Sequence, residues 1–221
     1  MKILVIEDQT MIRGLLVSAC AKAVRGAEFA EAGNGAQALT VGRTFIPDLI
    51  ILDSELPDVD GLDLIDPLRA FSPHVRVIAL TSHTDEFTLN RAVQFHVQGF
   101  VDKNEQPLEV LHAAIEAVMA GRTYFSPVVE RVKASLRADA ASFTKLLSDH
   151  EQRLLILMGH NLTDEEIGQK LSLSPFTIKA HRRNIMGKLG LHSTPELMRY
   201  ALEKGFIRAG QRQTALSKFG S

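Results

Sequence analysis

The sequence predicts an α/β domain, built on a five-stranded doubly wound parallel sheet, followed by a small all-α domain of four helices. Three observations predict it. Over the first 121 residues, short apolar runs rich in Ile, Val and Leu alternate with helical patterns, as in parallel strands buried on both faces. Beyond residue 145 the apolar residues keep only the helical period, and helix-start signatures recur. Formal charge divides in the same way: residues 1–121 carry nine Lys/Arg against seventeen Asp/Glu, and residues 122–221 carry sixteen against nine. The net charge of −1 thus hides an acidic half and a basic half, an asymmetry that points the C-terminal half towards nucleic acid.

The elements follow in order. Strands are expected at 2–6, 28–32, 49–53, 76–81 and 99–102, the second being the weakest because EFAEA has so little apolar surface. Helices follow at 10–23, 34–45, 61–70, 85–96 and 107–120, which makes five βα units and a right-handed, three-layer domain. Gly121 stops the last of these helices, and Ser126-Pro127 opens a short one to about Arg137. Ala138–Thr144 is small and polar without clear periodicity and reads as a linker. The expected domains are therefore 1–121 and 145–208, joined by 122–144, with a mobile tail at 209–221.

Five chemically active residues stand just after these strands: Glu7, Asp8, Asp53, Thr81 and Lys103. In a doubly wound sheet the ligand site lies beyond the carboxyl ends of the strands, so three carboxylates, a hydroxyl and an amine share one edge. Converging carboxylates repel and raise one another's pKa unless a cation joins them. Oxygen ligands without clustered Cys or His suit Mg²⁺, which keeps part of its hydration and accepts phosphate as a co-ligand. Lys103 supplies positive charge and Thr81 a donor for an anion beside that metal. Glu55, two positions after Asp53, adds an acid whose plainest role is that of a solvated loop carboxylate.

The single cysteine, Cys20, falls in a helical stretch and reads as a small core residue, so a reducing compartment is expected. Met1–Ile6 runs straight into a strand, and no apolar run approaches membrane-spanning length. A cytoplasmic protein with no membrane partner is expected.

In the second half, Ser148-x-x-Glu151, Thr163-x-x-Glu166 and Ser193-x-x-Glu196 are capping boxes, and Ser174-Pro175 opens a further helix. Along Ser174–Leu189, Ile178, Ile185 and Leu189 share one face, while Lys179 and Arg183 project from another beside Ala180. With Arg182 and Lys188 this helix carries four cations and no acid, which suits the major groove of DNA. The last helix, Ser193–Lys204, offers Leu197, Tyr200 and Ala201 on a similar face.

These residues carry a resemblance. Residues 1–121 are similar to the receiver domain of a bacterial two-component response regulator, through Glu7-Asp8, Asp53 in LDSELPDVDGL, Thr81 in ALTSH and Lys103 in GFVDK. Residues 145–208 resemble the LuxR-type helix-turn-helix of the NarL/FixJ class, through SPFTIKAHRRNIMGKLGL. The resemblance implies that Asp53 accepts a phosphoryl group from a histidine kinase, with Mg²⁺ held by Glu7, Asp8 and Asp53. It implies further that Thr81 bonds the new phosphoryl group, and that Phe100 changes rotamer with Thr81 as the switch. Lys179, Ala180 and Arg183 would face base edges of double-stranded DNA, with Thr177, Arg182 and Lys188 nearer its backbone, and Leu197, Tyr200 and Ala201 would join a homodimer. Departures from the family pattern are Ser82 for a common Ala and Asn104 for a common Pro, which puts the cis peptide bond found there in question. Acids also stand at Asp164, Glu165 and Glu166, where many relatives carry Lys or Arg.

The expected function is a phosphorylation-controlled, DNA-binding transcriptional regulator rather than an enzyme. Three other readings compete. Gly33-Asn34-Gly35-Ala36-Gln37-Ala38 fits a dinucleotide-binding pattern, but it follows the weakest strand and leaves Glu7, Asp8, Thr81 and Lys103 without roles. A phosphatase with an aspartyl intermediate would need a substrate pocket, and no pocket-forming insertion is visible. A regulator working through protein contacts, or without phosphorylation, draws its support from the acidic stretch 164–166.

Overall fold

The structure is a computed structural model that describes residues 1–104 and 107–208. It divides into two compact units, the first comprising Met1–Thr84 and Arg91–Arg131, the second Asp85–Asn90 and the chain from Val132 on.

In the first, β1 (Lys2–Ile6), β2 (Glu28–Ala32), β3 (Leu49–Asp53), β4 (Arg76–Thr81), β5 (Gly99–Asp102) and β6 (Tyr124–Phe125) form one sheet in the order β2-β1-β3-β4-β5-β6. All neighbouring strands are parallel. The expected five strands are thus joined by a sixth. Two residues carry no periodicity, and β6 exists by pairing: Tyr124 N donates to Gln98 O at 2.8 Å and Ser126 N to Phe100 O at 3.0 Å.

The helices α1 (Thr10–Ala23), α2 (Gly35–Phe45), α3 (Ile65–Phe71), α4 (Glu86–Gln94) and α5 (Pro107–Met119) fall where the periodicity places them. The stretch expected as one helix over 61–70 is a 3₁₀ turn, Gly61–Leu64, running into α3. Pro67 stands in the first turn of α3, where its missing N–H is tolerated. On one sheet face Ile3, Val5, Leu49, Ile51, Ile78, Leu80 and Val101 pack against α1 and α5 through Leu16, Cys20, Leu111, Ile115 and Val118. Burial pushes the Cys20 thiol up to about 12, which leaves it an inert core group. By strand alternation Leu52, Ala79, Thr81 and Phe100 belong to the other face. No peptide bond among the described residues is cis.

The loop after β3 is held at three points. A Cβ on Gly61 would stand 1.9 Å from the Asp53 carbonyl oxygen, so only glycine fits there, and Gly61 N donates to Ser54 O at 2.9 Å. The Asp58 carboxylate accepts from Gly35 N at 2.8 Å and Ala36 N at 3.0 Å, at the start of α2. Its partial burial works the other way, but those amides hold the Asp58 carboxyl below the usual range. Arg91 of α4 bonds Asp60 at 2.6 Å and also Asp63.

Next comes α6 (Pro127–Ala138), whose residues up to Arg131 are counted with the first unit, and in the second follow α7 (Phe143–Leu146), α8 (Asp149–Gly159), α9 (Asp164–Leu171), α10 (Pro175–Leu189) and α11 (Thr194–Glu203). The last four are the helices expected from the capping signals. α7 is a single turn capped by Ser142 at the end of the stretch read as linker, too short to show a period. Complete capping boxes start α8 and α9. At α11 only half a box forms: Ser193 Oγ accepts from Glu196 N, but the Glu196 carboxylate accepts from His192 N instead of Ser193 N. Leu154, Leu155, Met158, Ile167, Ile178, Ile185 and Leu197 fill the interior. α11 approaches α8 closely enough that a Cβ on Gly159 would lie 2.9 Å from the Ala201 methyl. The tail 209–221, expected to be mobile, lies outside the described residues.

Candidate functional site

Four of the five strand-end residues converge. One carboxylate oxygen from each of Glu7, Asp8 and Asp53 lies within 4.8 Å of the others. Lys103 Nζ stands 2.8 Å from Glu7 Oε2 and 2.8 Å from Asp53 Oδ2. Glu7 and Asp53 are 0% and 3% exposed, whereas Asp8 faces solvent. Glu55 N donates to the remaining Asp53 oxygen at 3.0 Å, and Gln9 N to Glu7 Oε1 at 3.2 Å. The sheet explains the meeting: β1 and β3 are neighbours, and β5 places Lys103 at the same end of the sheet.

Burial dominates the electrostatics. It raises the Glu7 and Asp53 carboxyls above the usual range despite Lys103. Lys103 is also taken out of water, but its hydrogen bonds to Asp53 and Glu7 outweigh that and hold its ammonium above the ordinary value. Two buried carboxylates against one ammonium leave an excess of negative charge, and a third carboxylate at the rim adds to it. Three oxygen donors of this kind, with no sulfur or imidazole among them, fit a hard divalent cation.

Thr81 is wholly buried, and its hydroxyl is engaged by its own loop: Oγ1 donates to His83 O and accepts from His83 N, each at 2.9 Å. Phe100 is 0% exposed, packed inside at the level of Ala79 and Phe125. Sequence reasoning missed His83, whose Nε2 lies 3.0 Å from Glu55 Oε1. Glu55, expected to be a solvated carboxylate, therefore stands against an imidazole beside the pocket.

On α10, Lys179 and Arg183 are exposed and Ala180 between them is half-buried. The other three predicted DNA contacts are held within the domain. Arg182 bonds Asp164 Oδ1 through Nε at 2.9 Å and Nη2 at 2.7 Å. Lys188 Nζ meets Glu151 at 2.7 and 2.8 Å. The Thr177 hydroxyl lies 2.8 Å from Ser174 Oγ in the helix cap. Without DNA, acids on neighbouring helices, distant in sequence, thus take up the two cations that were expected near the DNA backbone.

The residues expected to form a dimer are turned largely inward. Leu197 and Ala201 are 0% exposed in the domain's own interior, and Tyr200 is half-buried, its hydroxyl pushed up to about 12 chiefly by that burial. α11 turns Leu202, 50% exposed, to solvent instead.

Comparison with known proteins agrees with the family read from both halves of the sequence. Residues 3–116 match the response regulator receiver domain, and residues 145–201 match the bacterial regulatory proteins of the luxR family. The chain belongs to the response regulators. Over 201 residues, 90% of this regulator and 96% of the relative, it is 34% identical to a putative transcriptional regulator of Pseudomonas aeruginosa. It is 32% identical to the virulence-factor regulator BvgA of Bordetella pertussis, over 89% of this chain and 94% of that one. Among solved structures, the regulator resembles RcsB of Salmonella enterica serovar Typhimurium bound to a promoter with the phosphomimetic BeF3⁻, at a TM-score of 0.62 and 20% identity, covering 90% and 97% of the two chains. A LuxR-family response regulator from Aurantimonas sp. SI85-9A1 matches at a TM-score of 0.55 and 26% identity, over 62% of this chain and 98% of that one. This response regulator is accordingly a DNA-binding transcriptional regulator by family. Among its described residues, no helix is long and apolar enough to cross a membrane.

Proposed function

We propose that this response regulator takes a phosphoryl group from a histidine kinase onto Asp53, and that the modified receiver controls binding of α10 to double-stranded DNA. The observation that carries it is the pocket in which Lys103 bridges the buried Glu7 and Asp53, with Asp8 at the rim. A carboxylate is a competent nucleophile towards phosphorus, and phosphoryl transfer asks mainly for positioning and for positive charge on the equatorial oxygens. Lys103 orients Asp53 and offers that charge, while Glu55 N holds the other Asp53 oxygen. Glu7, Asp8 and Asp53 would hold Mg²⁺, which when bound supplies the remaining positive charge. Thr81 is the reporter: to donate to the phosphoryl group its hydroxyl must leave the His83 carbonyl, and Phe100 on the same sheet face feels that movement. A DNA target suits a cytoplasmic protein, and exposed Leu202 of α11 is an apolar contact available to a second copy on DNA.

The acidic start of α9 was the support for a regulator acting through protein contacts alone. Asp164 is taken by Arg182, and Glu166 accepts from Thr163 N at 2.7 Å in its capping box. That stretch is largely consumed in holding the domain together, which favours the DNA reading.

The test is intact-mass detection of phosphorylation by a small phosphodonor with Mg²⁺. Labelling is expected in the wild type, absent in Asp53→Asn and lost on chelation. Labelling that survives in Asp53→Asn would remove Asp53 as the acceptor.

A further inference from the structure

Phe176 is 82% exposed, the most exposed of the large apolar side chains described. It lies in the first turn of α10, behind Pro175, in a turn fixed by Ser174 Oγ accepting from Thr177 N at 3.1 Å. Its position on the helix gives the exposure meaning. Residues 176, 179, 180 and 183 recur at i, i+3, i+4 and i+7, so Phe176 heads the stripe that continues through Lys179, Ala180 and Arg183. The inward side of the helix is occupied by Ile178 and Ile185, both 0% exposed. A solitary exposed apolar residue is ordinary on a protein surface. A phenyl ring at the leading end of a cationic stripe, contributing nothing to its own core, is placed for a partner.

The chemistry narrows that partner to one feature. The N-terminal residues of a helix in the major groove are the ones that meet base edges. Phenylalanine has no donor or acceptor, so it cannot read the hydrogen-bonding code of the groove, and a phosphate offers it nothing. The apolar feature on the major-groove edge is the C5-methyl group of thymine. We propose that Phe176 is a specificity-determining residue, packing its ring on a thymine methyl beside the bases bonded by Lys179 and Arg183. This rests on the DNA-reading role proposed for α10.

The experiment selects sites from random duplexes with the full-length protein and a small phosphodonor, then replaces each thymine of the recovered site by deoxyuridine, which removes the methyl alone. One or two positions are expected to weaken wild-type binding roughly fourfold, the equivalent of about 0.8 kcal/mol for one apolar carbon. Phe176→Ala is expected to bind about tenfold more weakly and to be indifferent to deoxyuridine at those positions, while Phe176→Leu keeps part of the sensitivity. Selection of a site with no methyl-sensitive position, or sensitivity that persists in Phe176→Ala, overturns the role of the ring and leaves DNA binding intact. Unaltered DNA binding by Phe176→Ala with loss of promoter output would also overturn it and assign the ring to a protein partner. Failure to select any DNA would instead remove the underlying reading of α10, and this proposal with it.

Discussion

The receiver pocket and the recognition helix are both built from charge, and they treat it in opposite ways. Around Asp53 the charges are buried and unbalanced: two carboxylates almost without solvent contact share one ammonium. Along α10 they are displayed or neutralised in pairs, with Arg182 on Asp164, Lys188 on Glu151, and Lys179 and Arg183 exposed. The difference teaches where each function gets its energy. The pocket stores electrostatic tension that an added cation relieves, whereas the helix keeps its surface charges hydrated until counterions are released from DNA.

The largest expected effect tests the stored tension. Lys103→Met leaves Glu7 and Asp53 facing each other without compensation and should destabilise the receiver by about 3 kcal/mol in urea denaturation without metal. A loss below about 1 kcal/mol would mean that the pocket's charges are hydrated after all, and the contrast with α10 would collapse. Next, Lys179→Ala or Arg183→Ala should weaken specific DNA binding by roughly 1–3 kcal/mol at fixed salt while leaving stability within about 0.5 kcal/mol. Unchanged isotherms for both variants would remove α10 as the reading helix.

Smaller effects separate the paired cations from the displayed ones. Arg182→Ala breaks a half-buried, two-pronged contact and should cost the domain about 1 kcal/mol, while Lys188→Ala, whose side chain is 45% exposed, should cost about 0.5 kcal/mol. Equal losses would show that the pair on Asp164 gains nothing from its burial. The smallest effect is with pH, and its sign differs between the units. The raised carboxyls of Glu7 and Asp53 bind protons in the native state before the unfolded chain does, so without metal the receiver gains stability as pH falls from neutral to about 5. The Glu151 carboxyl is held low, its slight burial outweighed by Lys188 and Ser148. Its contribution is complete above the unfolded carboxylate value and is lost as pH falls through the folded one. Hydrogen exchange of each unit across that range should show the receiver tightening while the second unit stays level. A receiver that loosens on mild acidification would reverse the assigned directions.

Much of the pocket is legible in the sequence because each residue follows an apolar run that can only be a buried strand, and the rule for doubly wound sheets does the rest. Glu7, Asp53, Thr81 and Lys103 needed no knowledge of side-chain contacts. β6 was not legible, since Tyr124–Phe125 becomes a strand only by adding to β5. The partners of Arg182 and Lys188 were illegible for another reason: helical period says which side of α10 a cation occupies, but not that Asp164 or Glu151 waits beside it. Period failed for α11 in the same way. Leu197 and Ala201 do share a face, and only packing against α8 reveals that this face points inward.

The Asp58 contact has a consequence for the glycine pattern at the head of α2. Gly33–Ala38 has the spacing of a turn that grips a pyrophosphate, and the N-terminus of a helix is a natural seat for such an anion. Here the leading amides, Gly35 and Ala36, already donate to the Asp58 carboxylate, and Gln37 N donates to the Asn34 side chain. An incoming phosphate would find those donors spent and a like charge in its place. A motif that in another chain would hold a nucleotide is here a tether, and the molecule has become its own ligand.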